Sequence, residues 1–224
     1  MGHRILFAAY RDWACEVLPY VKKHPRVSSV THIISHEEMV IHAVNHKHEY
    51  DFILMCGWSG QPAQVVIDEL PVFSEHPATS DMYSLGTPLQ NQIMSGVKYT
   101  KHRLVKTVFP ELALRQYSHE VDIDISGPMD DILLQMKSTS IMLYNMFLDH
   151  YPNVTWKTWL AVPQEDMFVP RVPVDSRLVP DDFEGRTTKQ LYDFCRMLEG
   201  PYPRAYLEDE HGVLTFEKVS FKAK

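Results

Sequence analysis

The run DFILMC at residues 51–56 constrains the fold of this chain more than any other segment. Its apolar side chains follow one another without a polar break, in a stretch too short for an independent helix. Such a run suits a strand buried on both faces, and strands of that kind belong to parallel sheets covered by helices on either side. The neighbouring segments agree. Residues 4–9 read as a first strand and 12–23 as a helix; 28–35 (SSVTHIIS) read as a β-branched strand, 37–45 as a helix and 62–70 as a short helix. Residues 72–74 lead from a further strand into a loop around His76. This βαβα order predicts an α/β protein with a parallel, doubly wound, Rossmann-like sheet.

After Gly96 the pattern changes. Residues 99–109 and 116–125 alternate polar and apolar side chains, which predicts strands with one exposed face. A long amphipathic helix follows from Met129 to Tyr151, with Ile132, Leu133, Met136, Ile141, Tyr144, Met146 and Phe147 turned toward the sheet. From Pro152 the chain becomes proline-rich, which favours extended segments over helices. Residues 160–224 read as a small C-terminal β-containing subdomain appended to a domain of residues 1–159. It holds a helix at 189–198 and a hairpin near 209–212.

Composition narrows the function. The net charge of -7 opposes a nucleic-acid binder, which needs a basic face. Three scattered cysteines form no CxxC pair, so a reducing, cytoplasmic setting fits better than a disulfide framework or zinc ribbon. No apolar run approaches the ~20 residues of a membrane span. The opening MGHRILFAAY reads as a strand rather than a signal peptide, and Leu6 stands where a myristoylation motif needs Ser or Thr. The turn AAYRDWACE after the first strand lacks glycine and no GxxxxGK[ST] occurs, which opposes dinucleotide and P-loop functions. His42 and His46 have metal-ligand spacing, but HAVNHKH lacks the glutamate of HExxH and reads as a solvated helix end. Cys56 reads as a small core residue, and no GxSxG elbow is present.

The stretch SEHPATSDMYSLGTPLQNQIMSG at residues 74–96 is the candidate site. It places an imidazole, His76, where a buried strand meets a loop, beside a helix opened by Gly86-Thr87-Pro88. Ligands of open α/β sheets bind outside the carboxyl ends of the strands. Histidine titrates near neutral pH, although a satisfied loop histidine is the plainer alternative. Trp58, in Gly57-Trp58-Ser59, reaches the same edge and either lines a pocket for a flat ligand or caps the core.

Four ordered segments resemble the 10-formyltetrahydrofolate-dependent formyltransferase family, above all its sugar N-formyltransferase branch. They are ILMCGWSGQP, HPATSDMYSLGTPLQNQIMSG, FVPRVPVDS and TTKQLYDFCRMLEGPYPRAYLEDEHGVLTFEKVSF. The resemblance implies a formyltransferase fold, a 10-formyltetrahydrofolate cofactor and a nucleotide-linked deoxyamino sugar whose amine attacks the formyl carbon. It implies catalytic roles for His76 and for Ser74, which stands at the family's asparagine position. Asn91 adds a donor, and Ala113 falls where the family's aspartate belongs. Trp58, Ser59, Gly86, Thr87 and Gln90 would line the folate crevice, with no metal.

Three explanations of Ala113 stay open: a deliberate Asp→Ala change, a shifted alignment in which Glu111 serves, or a natural, weakly active relative. A non-catalytic folate or sugar-nucleotide binder of the same fold is the alternative function. A methionyl-tRNA formyltransferase would carry a basic C-terminal domain, and a glycinamide ribonucleotide formyltransferase would keep the asparagine and aspartate. Trp156, Trp159, Leu160 and Phe168 would cover the core or form a homodimer contact.

Overall fold

A computed structural model of the chain describes residues 2–80, 83, 86–107, 116–158 and 166–224. Glu111, Ala113, Trp159 and Leu160 lie outside the described residues. The first half alternates strands and helices: β1 (His3–Ala8), α1 (Asp12–Cys15), α2 (Leu18–Lys23), β2 (Val27–Ile33), α3 (His36–Asn45), β3 (Phe52–Met55), α4 (Gln64–Glu69), β4 (Val72–Pro77) and α5 (Pro88–Met94). Then come β5 (Tyr99–Thr107), β6 (Gln116–Asp124), α6 (Met129–His150), β7 (Lys157–Thr158), α7 (Pro180–Gly185), α8 (Thr188–Arg196), β8 (Ala205–Asp209) and β9 (Gly212–Phe216).

Among the described residues seven strands form one sheet in the order β2-β1-β3-β4-β5-β6-β7, and β8 pairs with β9 separately. Strands β1 to β4 pair in parallel, as the buried run at 51–56 predicts. From β4 onward the pairing is antiparallel, so the sheet is mixed. The exposed face expected of β5 is absent in mid-strand, where His102, Arg103, Leu104 and Val105 are all buried between two sheet neighbours and α6, while most positions of β6 stay partly exposed.

The structure also departs from the sequence expectation near residue 19 and at His76. The helix expected over 12–23 is two short helices, because Pro19 lacks an N–H donor and sits in the first turn of α2. β4 continues to Pro77, so His76 lies inside the strand rather than in the loop beyond it. Pro77 is tolerated there because the β3–β4 ladder has already stopped at Met55–Ser74.

Strand alternation divides the core. Ile5, Phe7, Phe52, Leu54 and Phe73 face α6, where they meet Leu143, Tyr144, Phe147 and Leu148. Leu6, Ala8, Ile53, Met55 and Val72 face the other way, onto Met39 and Ala43 of α3 and Val66 of α4. The amino-terminal half of α6 packs Ile132, Leu133 and Met136 against Leu89 and Ile93 of α5 and Phe194 and Cys195 of α8. Helix α8 starts on a capping box in which Thr187 accepts from the Gln190 N–H and the Gln190 side chain accepts from the Thr187 N–H.

The buried Arg196 then ties α8 to the sheet end. It pairs with Asp193 at 2.7 Å and donates to the Ile125 and Gly127 carbonyls. Trp156 stacks on Phe73 with ring centroids 5.7 Å apart, which closes the bottom of the core. Phe147 is fully buried and touches the rings of Phe52, Phe73 and Tyr151. Phe147→Ala is expected to cost about 3–5 kcal/mol of stability by removing this packing and leaving a cavity. Urea denaturation with an unchanged slope checks it, and a loss below about 1 kcal/mol would show that α6 is not the anchor described.

Candidate active site at the carboxyl end of the fourth strand

Period-two alternation along β4 sends Phe73 and Glu75 toward α6 and Val72, Ser74 and His76 to the opposite face. Ser74 Oγ lies 3.1 Å from Thr107 Oγ1 on β5. His76 stands opposite Arg103 in the β4–β5 register, and Arg103 stands opposite Glu120 on β6. Cross-strand partners share a face, so these three side chains form a row across the sheet. Arg103 is buried, donates from Nε to Glu120 Oε2 at 2.9 Å and from Nη1 to the Ala78 carbonyl, and lies over the Tyr117 ring. Sequence reasoning missed Arg103 and Glu120, which carry no motif; only the strand register brings them beside the histidine.

The β3 turn forms the adjoining wall. Gly57 has φ of 55°, and a Cβ there would approach Trp13 to 2.7 Å, so both conformation and space require glycine. Trp58 packs edge-on against Tyr10 and His36, with centroids 5.2 and 5.0 Å apart. Ser59 Oγ accepts from Arg11 Nη2 at 2.7 Å, and the Gly57 carbonyl accepts from Arg11 Nη1.

The start of α5 is held by a segment from far along the chain. Gly86, with φ of 128°, lies against Pro170, where a Cβ would come within 3.2 Å. Thr87 is left-handed, with φ of 44°, and its Oγ1 accepts the Arg171 N–H at 3.1 Å. Asn91 Nδ2 donates at 3.4 Å to both Thr87 Oγ1 and the Val169 carbonyl. Gln90 is buried, with its amide beside the Tyr202 hydroxyl.

Gln92, which the sequence did not single out, is fully buried and fully bonded. Its Nε2 donates to the Pro77 and Pro88 carbonyls at 2.7 and 2.9 Å, and its Oε1 accepts from Thr79 N–H and Thr100 Oγ1 at 2.9 and 2.6 Å. One amide thus locks the end of β4 to α5.

The structure therefore gathers His76 and Ser74 on one strand, Trp58 and Ser59 on the next turn, and Gly86, Thr87, Gln90 and Asn91 at the helix start. A cavity of about 530 Å³ opens at the amino end of β4. Its lining includes Gln64, Ile67, Asp68, Val72, Trp156 and Thr107, the last in contact with Ser74. The histidine pair on α3 is occupied differently: His42 Nδ1 bonds the Tyr50 hydroxyl at 2.8 Å. Among the described residues no group of three or more His, Cys, Asp or Glu side chains is arranged to hold a metal ion.

Behind His76, on the α6 side, two titratable groups are buried together. Burial raises the Glu75 carboxyl to about 7, and burial lowers His102 to about 3. The Thr139 hydroxyl, 2.7 Å from His102 Nδ1, also lies within bonding distance of the Gln135 and Met136 carbonyls. His102 Nε2 lies 3.7 Å from Glu75 Oε2, and a neutral ring carries no charge to offset a buried carboxylate. A protonated carboxyl is the form that suits this neighbour. Burial also pushes the Cys56 thiol well above the usual range, which removes it as a nucleophile near neutral pH.

Because the folded-state value for Glu75 lies above its unfolded one, the native state binds its proton more tightly between about pH 4.5 and 7. The carboxyl therefore subtracts stability as pH rises through that window, by about 3 kcal/mol in full. His102 has the opposite sign, adding stability as pH rises from about 3 toward 6.5. The difference between wild type and Glu75→Gln isolates the carboxyl. The variant is expected to gain on wild type from pH 5 to pH 7.5, measured by chemical denaturation, and a pH-independent difference would contradict the buried neutral acid.

Residues 173–224 match the family model of the methionyl-tRNA formyltransferase C-terminal domain. No curated protein matches the sequence. Among solved structures, the chain is similar to methionyl-tRNA formyltransferase from Clostridium thermocellum, at 23% identity and a TM-score of 0.79, covering 97% of this chain and 93% of that one. It is similar to a 4-N formyltransferase from Francisella tularensis, at 14% identity and a TM-score of 0.69, covering 100% and 99%. HypX from Aquifex aeolicus, solved in complex with tetrahydrofolic acid, matches at 14% identity and a TM-score of 0.71 over 93% of this chain and 36% of that one. The chain has the formyltransferase fold, and its last 52 residues are of the type that ends methionyl-tRNA formyltransferases.

Proposed function

We propose that this chain is an N-formyltransferase that moves a formyl group from 10-formyltetrahydrofolate to the amine of a nucleotide-linked deoxyamino sugar. The observation that carries the reading is the placement of His76 and Ser74 together on one face at the carboxyl end of β4, within a formyltransferase fold. The residues present fit a folate. Trp58 offers an aromatic wall at the β3 turn, and Ser59 and the buried Gln90 amide add polar groups at the same edge. When bound, the cofactor supplies the one-carbon group that the substrate amine attacks.

The chain's own part is to orient and to move a proton. His76 is the base that takes the amine proton, and Ser74 Oγ is a hydroxyl donor toward the developing oxyanion. Arg103, paired with Glu120, puts an ion pair in a row with His76 on that face. The start of α5, clamped by Pro170 and Arg171, gives the site a wall drawn from the C-terminal part. The division into residues 1–159 and 160–224, a homodimer and a cytoplasmic location belong to the same proposal. Among the described residues, no helix is long and apolar enough to cross a membrane.

The matches to methionyl-tRNA formyltransferase favour a second substrate, an aminoacyl-tRNA. The net charge of -7 opposes it, since tRNA binding is driven by phosphate contacts. Ser74 and Ala113 favour a third reading, a folate or sugar-nucleotide binder without turnover.

A panel of nucleotide-linked amino sugars and an aminoacyl-tRNA, each incubated with 10-formyltetrahydrofolate, separates the readings by the mass gain of one formyl group. His76→Gln is expected to lower turnover by about a hundred- to ten-thousand-fold, the range of a positioned acid–base. Ala113→Asp is expected to raise it by at least about tenfold. Activity unchanged in the histidine variant would remove His76 from the chemistry, and no gain from Ala113→Asp would remove the aspartate assignment at that position.

A further inference from the structure

The main-chain ladder between β3 and β4 ends at Met55–Ser74, just before the two strands reach the candidate site. Cys56 N–H bonds the Ala8 carbonyl on β1, as alternation along a central parallel strand requires, so the next donor due toward β4 is Gly57 N–H. Gly57 N–H then has no strand partner. It is met instead by a side chain from β4: Glu75 Oε2 accepts it at 3.3 Å, and Cys56 Sγ approaches Glu75 Oε1 at 3.6 Å.

The Glu75 side chain is 3% exposed, and an apolar residue in its place would avoid the cost of burying a carboxyl. The groups facing it are Cys56 and Gly57 from the β3 turn, His102 from β5, and the Ser140 and Tyr144 hydroxyls from α6. Its neighbour His76 points to the other side of the sheet. The same glycine is held from its far side, where its carbonyl accepts from Arg11. Gly57 is thus fixed at both its polar atoms, in a left-handed conformation, immediately before Trp58 and Ser59.

We propose that Glu75 is a positioning residue, whose carboxyl replaces the missing ladder bond and sets the separation between the turn carrying Trp58 and Ser59 and the strand end carrying His76. The inference rests on the formyltransferase reading for its consequence, because that separation is the width of the crevice where folate would enter. Glu75 touches neither substrate nor cofactor in this account. Its effect is on binding more than on the chemical step.

Glu75→Gln keeps an oxygen that can accept from Gly57 N–H, whereas Glu75→Leu keeps the bulk and removes the acceptor. The leucine variant is expected to weaken tetrahydrofolate binding, measured by equilibrium titration, by about tenfold, the worth of one well-placed hydrogen bond. KM for 10-formyltetrahydrofolate is expected to rise in step, with kcat changed less than about threefold. The glutamine variant is expected to stay within about threefold of wild type in both. A folded leucine variant that binds tetrahydrofolate as wild type does, or one that loses kcat at constant KM, overturns the proposal.

Should the leucine variant not fold, amide hydrogen exchange at Gly57 decides with Glu75→Met in its place. Exchange at least about tenfold faster than in Glu75→Gln supports the tether. Equal exchange overturns it. Wild-type protein that binds no tetrahydrofolate refutes the functional reading alone, since the exchange experiment still tests what Glu75 holds.

Discussion

The parallel ladder between β3 and β4 stops at Met55 and Ser74, and the carboxyl edge of the sheet is organised around that stop. Below it the strands are sealed by backbone hydrogen bonds and by aromatic packing on α6. Above it the strands part, and every polar group that the ladder would have satisfied must find another partner. Glu75 meets Gly57, Arg11 meets the Gly57 carbonyl and Ser59, and Gln92 meets the Pro77 carbonyl and Thr79. An opening between strands in a buried sheet is stable only with such substitutes. Their geometry decides where His76 and Trp58 stand.

Helix α6 links this edge to the C-terminal part of the chain. Its carboxyl half packs on the sheet through Tyr144 and Phe147, and its amino half packs on α5 and α8 through Ile132 and Met136. Arg196 fixes α8 to the carbonyls that follow β6, and residues 169–171 reach back to Thr87 and Asn91. The C-terminal segment therefore supplies part of the wall at the start of α5. A change in its packing reaches the site through α5 and not through the parallel strands.

Much of this architecture was legible. DFILMC reads as a strand buried on both faces, and β3 is one. The helix read at 189–198 is largely α8, whereas the wet face read at 99–109 is lost in mid-strand, where His102 to Val105 are all buried. The break at Pro19 was written in the residue type, yet the continuous apolar pattern around it concealed it. The end of β4 was harder. Proline after a histidine reads as a strand terminus, and only the early end of the β3 ladder lets Pro77 remain in the strand.

Local pattern determined which segments become strands and helices, because burial periodicity and caps act over a few residues. It also singled out His76, whose surrounding residues carry a readable order. Tertiary structure alone decided that Arg103 and Glu120 stand in a row with it, that Gln92 locks its strand to α5, and that Glu75 lies behind it as a buried acid. These residues are polar side chains in ordinary sequence surroundings. Their roles depend on strand register and on which backbone groups lose their ladder partners, and both arise only when distant segments pack together.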